Sequence, residues 1–253
     1  MSRSDTEYAI GIWECCTVRI AITRVPGKEE GDSELCARYG HTCVTVSPLT
    51  AILHREKVEE FIVAVEKESF EAIFFTSAIT ARAIAPRLKK HPRLIAIGPQ
   101  TAAALEKGGV HAEILPSFYS RDLVPYLGEW VRGRRIGIPR ADVPDDGLAQ
   151  SIRDAGGEAI EIRCYSLRPT HDRLPLEGVD AVLFTSSLSF REAVWENRSD
   201  LLLIAIGENT ARMMQESGMN PAVVGNGSLA GSLEALNRFI ETKNLHPQHS
   251  GEC

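Results

Sequence analysis

Hydroxyl-bearing residues and glycines follow four short apolar runs of the sequence, where a protein could bind anions. After the first two runs these residues are Thr76, Ser77, Gly98 and Thr101, and after the last two they are Thr185, Ser186, Ser187, Gly207 and Thr210. Each apolar run is predicted to form a buried strand that leads into a helix. The N-terminus of that helix has unpaired N–H groups and a partial positive charge, which would lie at the end of the strand. The four turns therefore predict a surface for a ligand with several carboxylates or phosphates.

Two arginines add to this anion-binding chemistry. The segments 18–24 and 134–140 are each predicted to form a strand, and they end at Arg24 and Arg140. A guanidinium at the carboxyl edge of a sheet can clamp a carboxylate or a phosphate. A solvated arginine at a strand end is the alternative, and the sequence leaves both interpretations open.

Other kinds of chemistry lack their motifs. No Gly-x-x-x-x-Gly-Lys-Ser/Thr loop and no Gly-x-Gly-x-x-Gly turn follows a strand, and no Gly-x-Ser-x-Gly elbow surrounds a serine. The six cysteines form no Cys-x-x-Cys pair and show no ligand-like spacing with the seven histidines. We therefore expect no metal, nucleotide or redox cofactor, and cysteines that are reduced and mostly structural.

The elements that must position these residues occur twice. The stretch Phe75–Gly109 recurs without a gap as Phe184–Gly218, and 12 of the 35 paired residues are identical. Such self-similarity predicts two duplicated lobes. Strands that alternate with helices predict a doubly wound parallel sheet in each lobe, and ligands of such sheets bind outside the carboxyl ends of the strands.

Length and composition fit this organisation. The 253 residues, 43% apolar and 25% charged, suffice for two ordinary cores. A net charge of −6 argues against a wide nucleic-acid surface. No apolar stretch approaches the roughly 20 residues of a membrane helix, and residues 1–7 lack the apolar core of a signal peptide, so we expect a cytoplasmic protein without a membrane partner. The polar segment 246–253 lacks periodicity and is expected to be disordered.

The order and spacing of the motifs over about residues 18–240 resemble uroporphyrinogen-III synthases. The motifs are Ile-Thr-Arg-x-Pro near the start, two Phe-Thr-Ser units, two copies of Ile-Ala-Ile-Gly-x-x-Thr-Ala, and Tyr165 after a Gly-Gly stretch. The resemblance implies a lyase of tetrapyrrole and heme biosynthesis that needs no cofactor. Its substrate would be hydroxymethylbilane, a linear tetrapyrrole with eight carboxylates, closed with inversion of the last ring and loss of water.

The resemblance also implies a domain organisation. Two similar α/β lobes with doubly wound parallel sheets would be joined by a two-stranded ladder, with the ligand cleft between the lobes. Lobe 1 would combine 1–44 with 168–245, lobe 2 would span 50–160, and the ladder would consist of 45–49 and 161–167. This replaces the division near residue 133 that the repeat alone favours.

Tyr165 matches the linker tyrosine of the family, and we expect it to donate a proton to the leaving hydroxyl. Simple packing in the ladder is the alternative, because a phenol is a weak acid at neutral pH. The turn residues named above would hold acetate and propionate groups. The pair Glu208-Asn209 departs from the family pattern, and a carboxylate there would repel a polyanion.

The resemblance further suggests a monomer that acts on a small molecule, with a transient hand-off of the substrate from hydroxymethylbilane synthase. A different class of function remains open at this point. The chain could be a non-catalytic two-lobed module that closes on a small anion, or a regulatory lobe pair descended from the enzyme. Turnover of the bilane distinguishes the enzyme from both.

Overall fold

The computed structural model describes residues 17–27, 29, 31–116, 119–143 and 147–244. The tail predicted at 246–253 lies outside these residues. The elements, in chain order, are β1 (Arg19–Thr23), α1 (Asp32–Arg38), β2 (Thr42–Val46), β3 (Leu49–Leu53), α2 (Arg55–Glu66), β4 (Ala72–Phe75), α3 (Ala78–Ile84), β5 (Arg93–Ala96), α4 (Pro99–Lys107), β6 (Glu113–Ile114), α5 (Leu123–Leu127), β7 (Arg135–Ala141), α6 (Leu148–Asp154), β8 (Glu158–Pro169), β9 (Ala181–Phe184), α7 (Ser187–Glu192), β10 (Leu202–Ala205), α8 (Glu208–Glu216), β11 (Val223–Val224) and α9 (Leu229–Asn244).

The chain forms two units and passes between them through two neighbouring strands. Unit 1 contains the described residues up to Thr50 and from Pro169 onward, and unit 2 is Ala51–Arg168. Strands β3 and β8 are adjacent and both cross this boundary. The partner of β8 thus begins at Leu49, whereas the family resemblance implied a ladder strand at 45–49. The reason is that β2 is bonded to β1 in the sheet of unit 1 and that Pro48, which lacks an N–H group, separates β2 from β3.

Both units contain the same sheet. The strand order in unit 1 is β11-β10-β9-β1-β2, and in unit 2 it is β6-β5-β4-β7-β8 with β3 added beside β8. Strand β1 pairs in parallel with β9, and β7 pairs in parallel with β4. Each sheet therefore combines the opening strands of one repeat with the Phe-Thr-Ser core of the other.

Helices cover both faces of each sheet, because successive strand residues point to opposite sides. In unit 1, Leu183 packs in a cluster with α1 and α9, and its neighbour Phe184 packs with α7 and α8. In unit 2, Phe74 packs with α5 and α6, and Phe75 packs with α2, α3 and α4. The predicted α/β class with two doubly wound parallel sheets is confirmed.

The helix α5 is short and is flanked by two 3₁₀ turns. These turns are Ser120–Asp122 and Gly128–Val131. Gly128 has a φ of 56° and a ψ of −140°, a conformation that ends the helix and that a residue with a Cβ rarely adopts.

Candidate active site

The strand order of unit 2 reverses between β7 and β4, because β4, β5 and β6 run outward in one direction and β7 and β8 in the other. A ligand of an open parallel sheet binds at such a topological switch point, outside the carboxyl ends of the strands. Thr76 and Ser77 directly follow β4, Arg140 lies near the end of β7, and Tyr165 lies on β8. These four residues form what we call the unit 2 switch point.

Tyr165 is almost fully buried, with 4% of its surface exposed. Burial raises the pKa of the Tyr165 phenol, while the polar side chain of Ser77 and the positive charge of Arg140 act in the opposite direction. The β7–β8 register shifts here, since Arg140 pairs with Arg163 but Ala141 pairs with Tyr165. This irregularity places one extra residue on β8, and irregularities of this kind can re-aim side chains beside active sites.

Arg140 is also buried and has an anionic partner on the neighbouring strand. Its Nη1 lies 2.5 Å from Oε1 of Glu161. A second ion pair joins the same two segments, with Arg163 Nη1 at 2.6 Å from Oδ1 of Asp142. The predicted anion clamp is thus oriented by Glu161, which also offsets part of its charge.

Ser77 is the N-cap of α3. Its Oγ accepts a hydrogen bond from the backbone N–H of Ile79 at 3.1 Å, and its carbonyl accepts one from the Thr80 hydroxyl at 3.0 Å. Thr76 is half-buried, and within the described residues no hydrogen-bond partner is found for its hydroxyl. The Phe-Thr-Ser turn of unit 2 therefore presents one hydroxyl to its surroundings and uses the other as a cap.

One strand further along, α4 begins after Gly98. The φ of Gly98 is −170° and its ψ is 178°, an extended backbone that any residue adopts. Thr101 is buried in the first turn of α4. Its expected contact with a ligand remains a prediction.

Unit 1 has a corresponding switch point between β1 and β9, which we define by Arg24, Thr185 and Ser186. Thr23 and Thr185 bond each other twice: the Thr185 N–H donates to Thr23 Oγ1 at 2.9 Å, and Thr185 Oγ1 donates to the Thr23 carbonyl at 2.5 Å. Arg24 makes a bidentate salt bridge with the buried Asp32, at 2.8 and 2.9 Å. The polar groups of this switch point largely bond one another.

The helix starts of unit 1 are connected as well. Ser186 Oγ accepts the Ser189 N–H at 3.0 Å, and Ser187 Oγ donates to the Asn209 carbonyl at 3.1 Å, which links the first turns of α7 and α8. Gly207 precedes α8 in an extended conformation, and a Cβ there would lie 3.2 Å from the backbone nitrogen of Gly227, which is a close approach of the two backbones. Thr210 is buried in that first turn.

Three residues of these sites were not predicted from the sequence: Glu161, Thr23 and Asp32. Glu161 interrupts an apolar stretch of β8 between Ile160 and Ile162, which marks a strand position with a polar neighbour. Thr23 and Asp32 gave no comparable signal, because their roles depend on partners in the turn after β9 and at the end of β1.

Among the described residues, no group of three or more His, Cys, Asp or Glu side chains is arranged to hold a metal ion, and none of the helices is long and apolar enough to span a membrane.

Fold and site together define a duplicated α/β protein with one polar switch point in each of two doubly wound sheets. A model of the family described as uroporphyrinogen-III synthase HemD matches residues 32–238, which is most of the chain. The chain belongs to the uroporphyrinogen-III synthase family, and its activity is that of a cyclising lyase in tetrapyrrole biosynthesis.

Archaeal proteins are similar in sequence. A protein of Archaeoglobus fulgidus, provisionally named uroporphyrinogen-III synthase, is 29% identical over 175 residues, which cover 64% of this chain and 76% of that protein. A protein of Methanothermobacter thermautotrophicus with the same provisional name is 25% identical over 230 residues, or 79% of this chain and 90% of the other.

Solved structures share the fold. A mutant uroporphyrinogen III synthase from the extreme thermophile Thermus thermophilus superimposes with a TM-score of 0.52 at 18% identity, covering 89% of this chain and 99% of the other. The uroporphyrinogen-III synthetase of Helicobacter pylori gives a TM-score of 0.54 at 16% identity, covering 85% and 97%. At these identities the similarity concerns the fold alone.

Proposed function

We propose that the chain closes hydroxymethylbilane to uroporphyrinogen III, and that the unit 2 switch point carries the proton chemistry. The family match over residues 32–238 supports the reaction. The convergence of Tyr165, Ser77 and Arg140 at the reversal of strand order supports the location. This convergence brings the phenol of Tyr165 near the buried guanidinium of Arg140. A hydroxyl leaves as water when a group such as the phenol donates a proton to it, and the cation stabilises the phenolate that results.

The reaction requires that the hydroxyl of the bilane leave as water. The resulting electrophile must be attacked at the already substituted carbon of the last ring, and the spiro intermediate then fragments and recloses. Because the unassisted bilane closes without inversion, most of the catalysis must come from holding its two ends in the geometry for spiro attack. Loss of water and ring closure involve no net oxidation, so the reaction needs no redox cofactor.

Tyr165 assists the departure of water as a hydrogen-bond and proton donor. Burial keeps its phenol protonated at neutral pH, and Arg140 beside it stabilises the phenolate that forms when the proton moves. The buried position also excludes water from the reacting group, which strengthens these interactions.

Each unit, taken by itself, offers polar groups that can bind a carboxylate at the edge of its sheet. The Thr76 hydroxyl and Arg140 serve in unit 2, and the starts of the nine-residue helices α4 and α8 offer N–H groups in either unit. Glu208 is exposed in the first turn of α8, where its charge complements the helix dipole and repels an approaching carboxylate. We therefore expect α4 to bind a carboxylate more strongly than α8.

A coupled assay tests the proposed reaction. Hydroxymethylbilane is generated in place by its synthase, the chain is added as a monomeric fraction, and the oxidised porphyrin isomers are separated by chromatography. We expect isomer III to predominate. If only isomer I forms, as it does without the protein, the chain is not a synthase and acts as an anion-binding module.

The role of Tyr165 is tested by Tyr165→Phe. We expect kcat to fall about a hundredfold, at the lower end of the effect of a general acid, with an unchanged far-UV spectrum. Tyr126→Phe is the matched control, since it also removes a phenol hydroxyl from unit 2, one that donates to Glu113 at 2.7 Å. Full activity in Tyr165→Phe would show that Tyr165 only packs.

A further inference from the structure

The extra residue on β8 lies directly before Tyr165. Arg163 and Tyr165 pair with consecutive residues of β7, so Cys164 between them has no partner on that strand. On the same side, the Asp142 N–H donates to the Tyr165 carbonyl at 2.6 Å, beyond the irregularity. The other side of β8 faces β3, and the irregular segment receives its remaining bonds from there.

His54 directly follows β3 and bonds to β8 on both sides of Tyr165. Its backbone N–H donates to the Cys164 carbonyl at 2.8 Å. Its ring Nδ1 lies 3.1 Å from the Arg163 carbonyl oxygen, and its Nε2 lies 3.1 Å from Oγ of the buried Ser166. Tyr165 therefore lies between neighbours that His54 holds in place.

The two ring contacts fix the hydrogens of the His54 imidazole. A carbonyl oxygen only accepts, so Nδ1 carries a hydrogen and donates it to Arg163. In the neutral ring Nε2 then has no hydrogen and accepts that of the Ser166 hydroxyl. Both ring nitrogens are thus bonded to β8.

His54 is also the N-cap of α2, a position where serine, threonine, aspartate or asparagine side chains usually bond to the helix. Its ring makes no capping bond, and its carbonyl accepts the N–H groups of Lys57 and Val58 at 2.9 and 3.0 Å. The helix in turn packs on the same part of β8, because Val58 and Phe61 share a cluster with Cys164. The ring is therefore used for β8 and not for the helix that it precedes.

The corresponding strand of unit 1 is regular. Strand β2 pairs with β1 as β8 pairs with β7, and its register runs without a shift from Thr42 to Val46. In the described strand order β2 is an edge strand and is bonded to β1 alone. The irregularity and the histidine beside it therefore distinguish the unit that contains Tyr165.

We propose that His54 is a positioning residue that holds β8 around its irregularity and so keeps the Tyr165 phenol at the unit 2 switch point. The inference rests on the proposed function. A slip of a strand by one residue turns each side chain to the other face of the sheet. The bonds of His54 to residues 163, 164 and 166 fit one register, in which Tyr165 pairs with Ala141, next to Arg140.

A double-mutant cycle tests this assignment in the full chain. His54→Phe keeps an aromatic ring but removes both ring contacts, and it should lower kcat about tenfold with little change in KM, as expected for two neutral hydrogen bonds. In the Tyr165→Phe background the same substitution should have no further effect on kcat, because His54 acts through the phenol. A residue with a merely structural role would lower kcat in both backgrounds.

His91→Phe is the matched control. The ring Nδ1 of His91 also bonds to a backbone carbonyl, that of Pro92 at 2.9 Å, but at an exposed position of unit 2. This substitution should leave kcat unchanged in both backgrounds.

Two milder variants separate the ring contacts. Ser166→Ala removes only the contact with Nε2, and His54→Asn places an amide N–H where Nδ1 lies and keeps only the contact with Arg163. Each should lower kcat about threefold, as the loss of one neutral hydrogen bond does. Ser166→Ala should have no further effect on His54→Phe, in which its partner is already absent.

Fluorine NMR measures the position of Tyr165 without turnover. In a chain labelled with meta-fluorotyrosine, the Tyr165 resonance is the one that Tyr165→Phe removes. His54→Phe should shift or broaden this resonance, whereas His91→Phe should leave it in place.

The outcomes distinguish this inference from the proposed function. If the wild-type chain forms isomer III but His54→Phe keeps full activity, lowers kcat equally in both backgrounds or leaves the Tyr165 resonance in place, His54 does not position Tyr165 and the synthase assignment stands. If the wild-type chain forms no isomer III, the proposed function itself fails and this inference fails with it.

Discussion

At the residue scale, Tyr165 combines a protonated phenol with a nearby cation. Burial is the largest influence and raises the pKa of Tyr165 above its ordinary value near 10. The active form is the protonated one, so its contribution is complete below that pKa and is lost only as the pH rises through it. The acid limb of any pH profile must therefore come from other groups.

This gives a pH prediction. The ratio of kcat between the wild-type chain and Tyr165→Phe should stay constant between about pH 6 and 9, because the phenol does not titrate in that range. Steady-state rates from the isomer assay in a constant-ionic-strength buffer series measure the ratio. A ratio that falls with a midpoint near pH 7 would show that a different group supplies the proton.

The described cysteines differ in the pKa of their thiols. A hydrogen bond from the buried Cys36 thiol lowers the pKa of Cys43 to about 7, whereas burial raises the pKa of Cys164 to about 12. Cys43 is half-buried, and Cys36 and Cys164 are buried. Sequence spacing could not reveal this difference, because it depends on the packing of α1 against β2.

Alkylation tests the difference. At pH 8 iodoacetamide should modify Cys43 well before Cys36 and Cys164, since the thiolate is the reactive form. Peptide mapping by mass spectrometry resolves the sites. Cys36→Ala removes the donor and should slow the modification of Cys43 at pH 7; an unchanged rate would contradict the role of Cys36.

At the scale of elements, the Thr23–Thr185 bonds connect β1 to the turn after β9. Thr23 is fully buried, and its Oγ1 accepts the Thr185 N–H while donating to the Leu183 carbonyl at 3.2 Å. These contacts join strands that are far apart in the sequence. They hold the Thr-Ser-Ser turn at the carboxyl edge of unit 1.

Thr23→Val should lower the free energy of unfolding by about 1–3 kcal/mol, because it keeps the shape of the side chain but leaves the buried Thr185 N–H unpaired. Thr45→Val, at an exposed position of β2 in the same sheet, is the control and should change stability by less than about 0.5 kcal/mol. Urea denaturation measures both. Equal values for the two variants would show that the Thr–Thr contact adds no stability.

At the scale of the whole molecule, each sheet is assembled from separate parts of the chain. Unit 2 contains β7 between β8 and β4, and Ile136 and Ile138 of β7 belong to the cluster that covers one face of the sheet. A division at residue 133 would remove β7 and β8 from this sheet. A division at the unit boundary keeps the sheet and both of its cores.

Fragments test this organisation. A fragment of residues 49–169, which keeps β3 and β8 whole, should unfold cooperatively on heating and give dispersed amide signals. A fragment of residues 1–133, which has the same Phe-Thr-Ser core but lacks β7, should do neither, because the apolar residues of β4 lose their neighbours. Cooperative unfolding of 1–133 would contradict the pairing of β4 with β7.

The sequence by itself determined the elements at the edge of each sheet. The apolar runs before Thr76 and Thr185 and the capping serines depend on neighbours within a few residues, and short-range patterns record such neighbours. The capacity of Arg24 and Arg140 to bind an anion could also be predicted from the local sequence. The carboxylate partners of these arginines could not be predicted, because Asp32 and Glu161 come near them only in the folded sheet.

The repeat alone favoured a division near residue 133, and the tertiary structure decided which opening strands join which core. Strands β1 and β7 both lead to an arginine and both have apolar residues at alternating positions. The sequence pattern is therefore compatible with either strand beside β4 or beside β9. The hydrogen bonds and packing that choose between these pairings form between segments distant in the chain. The position of Tyr165 near Arg140 follows from that choice.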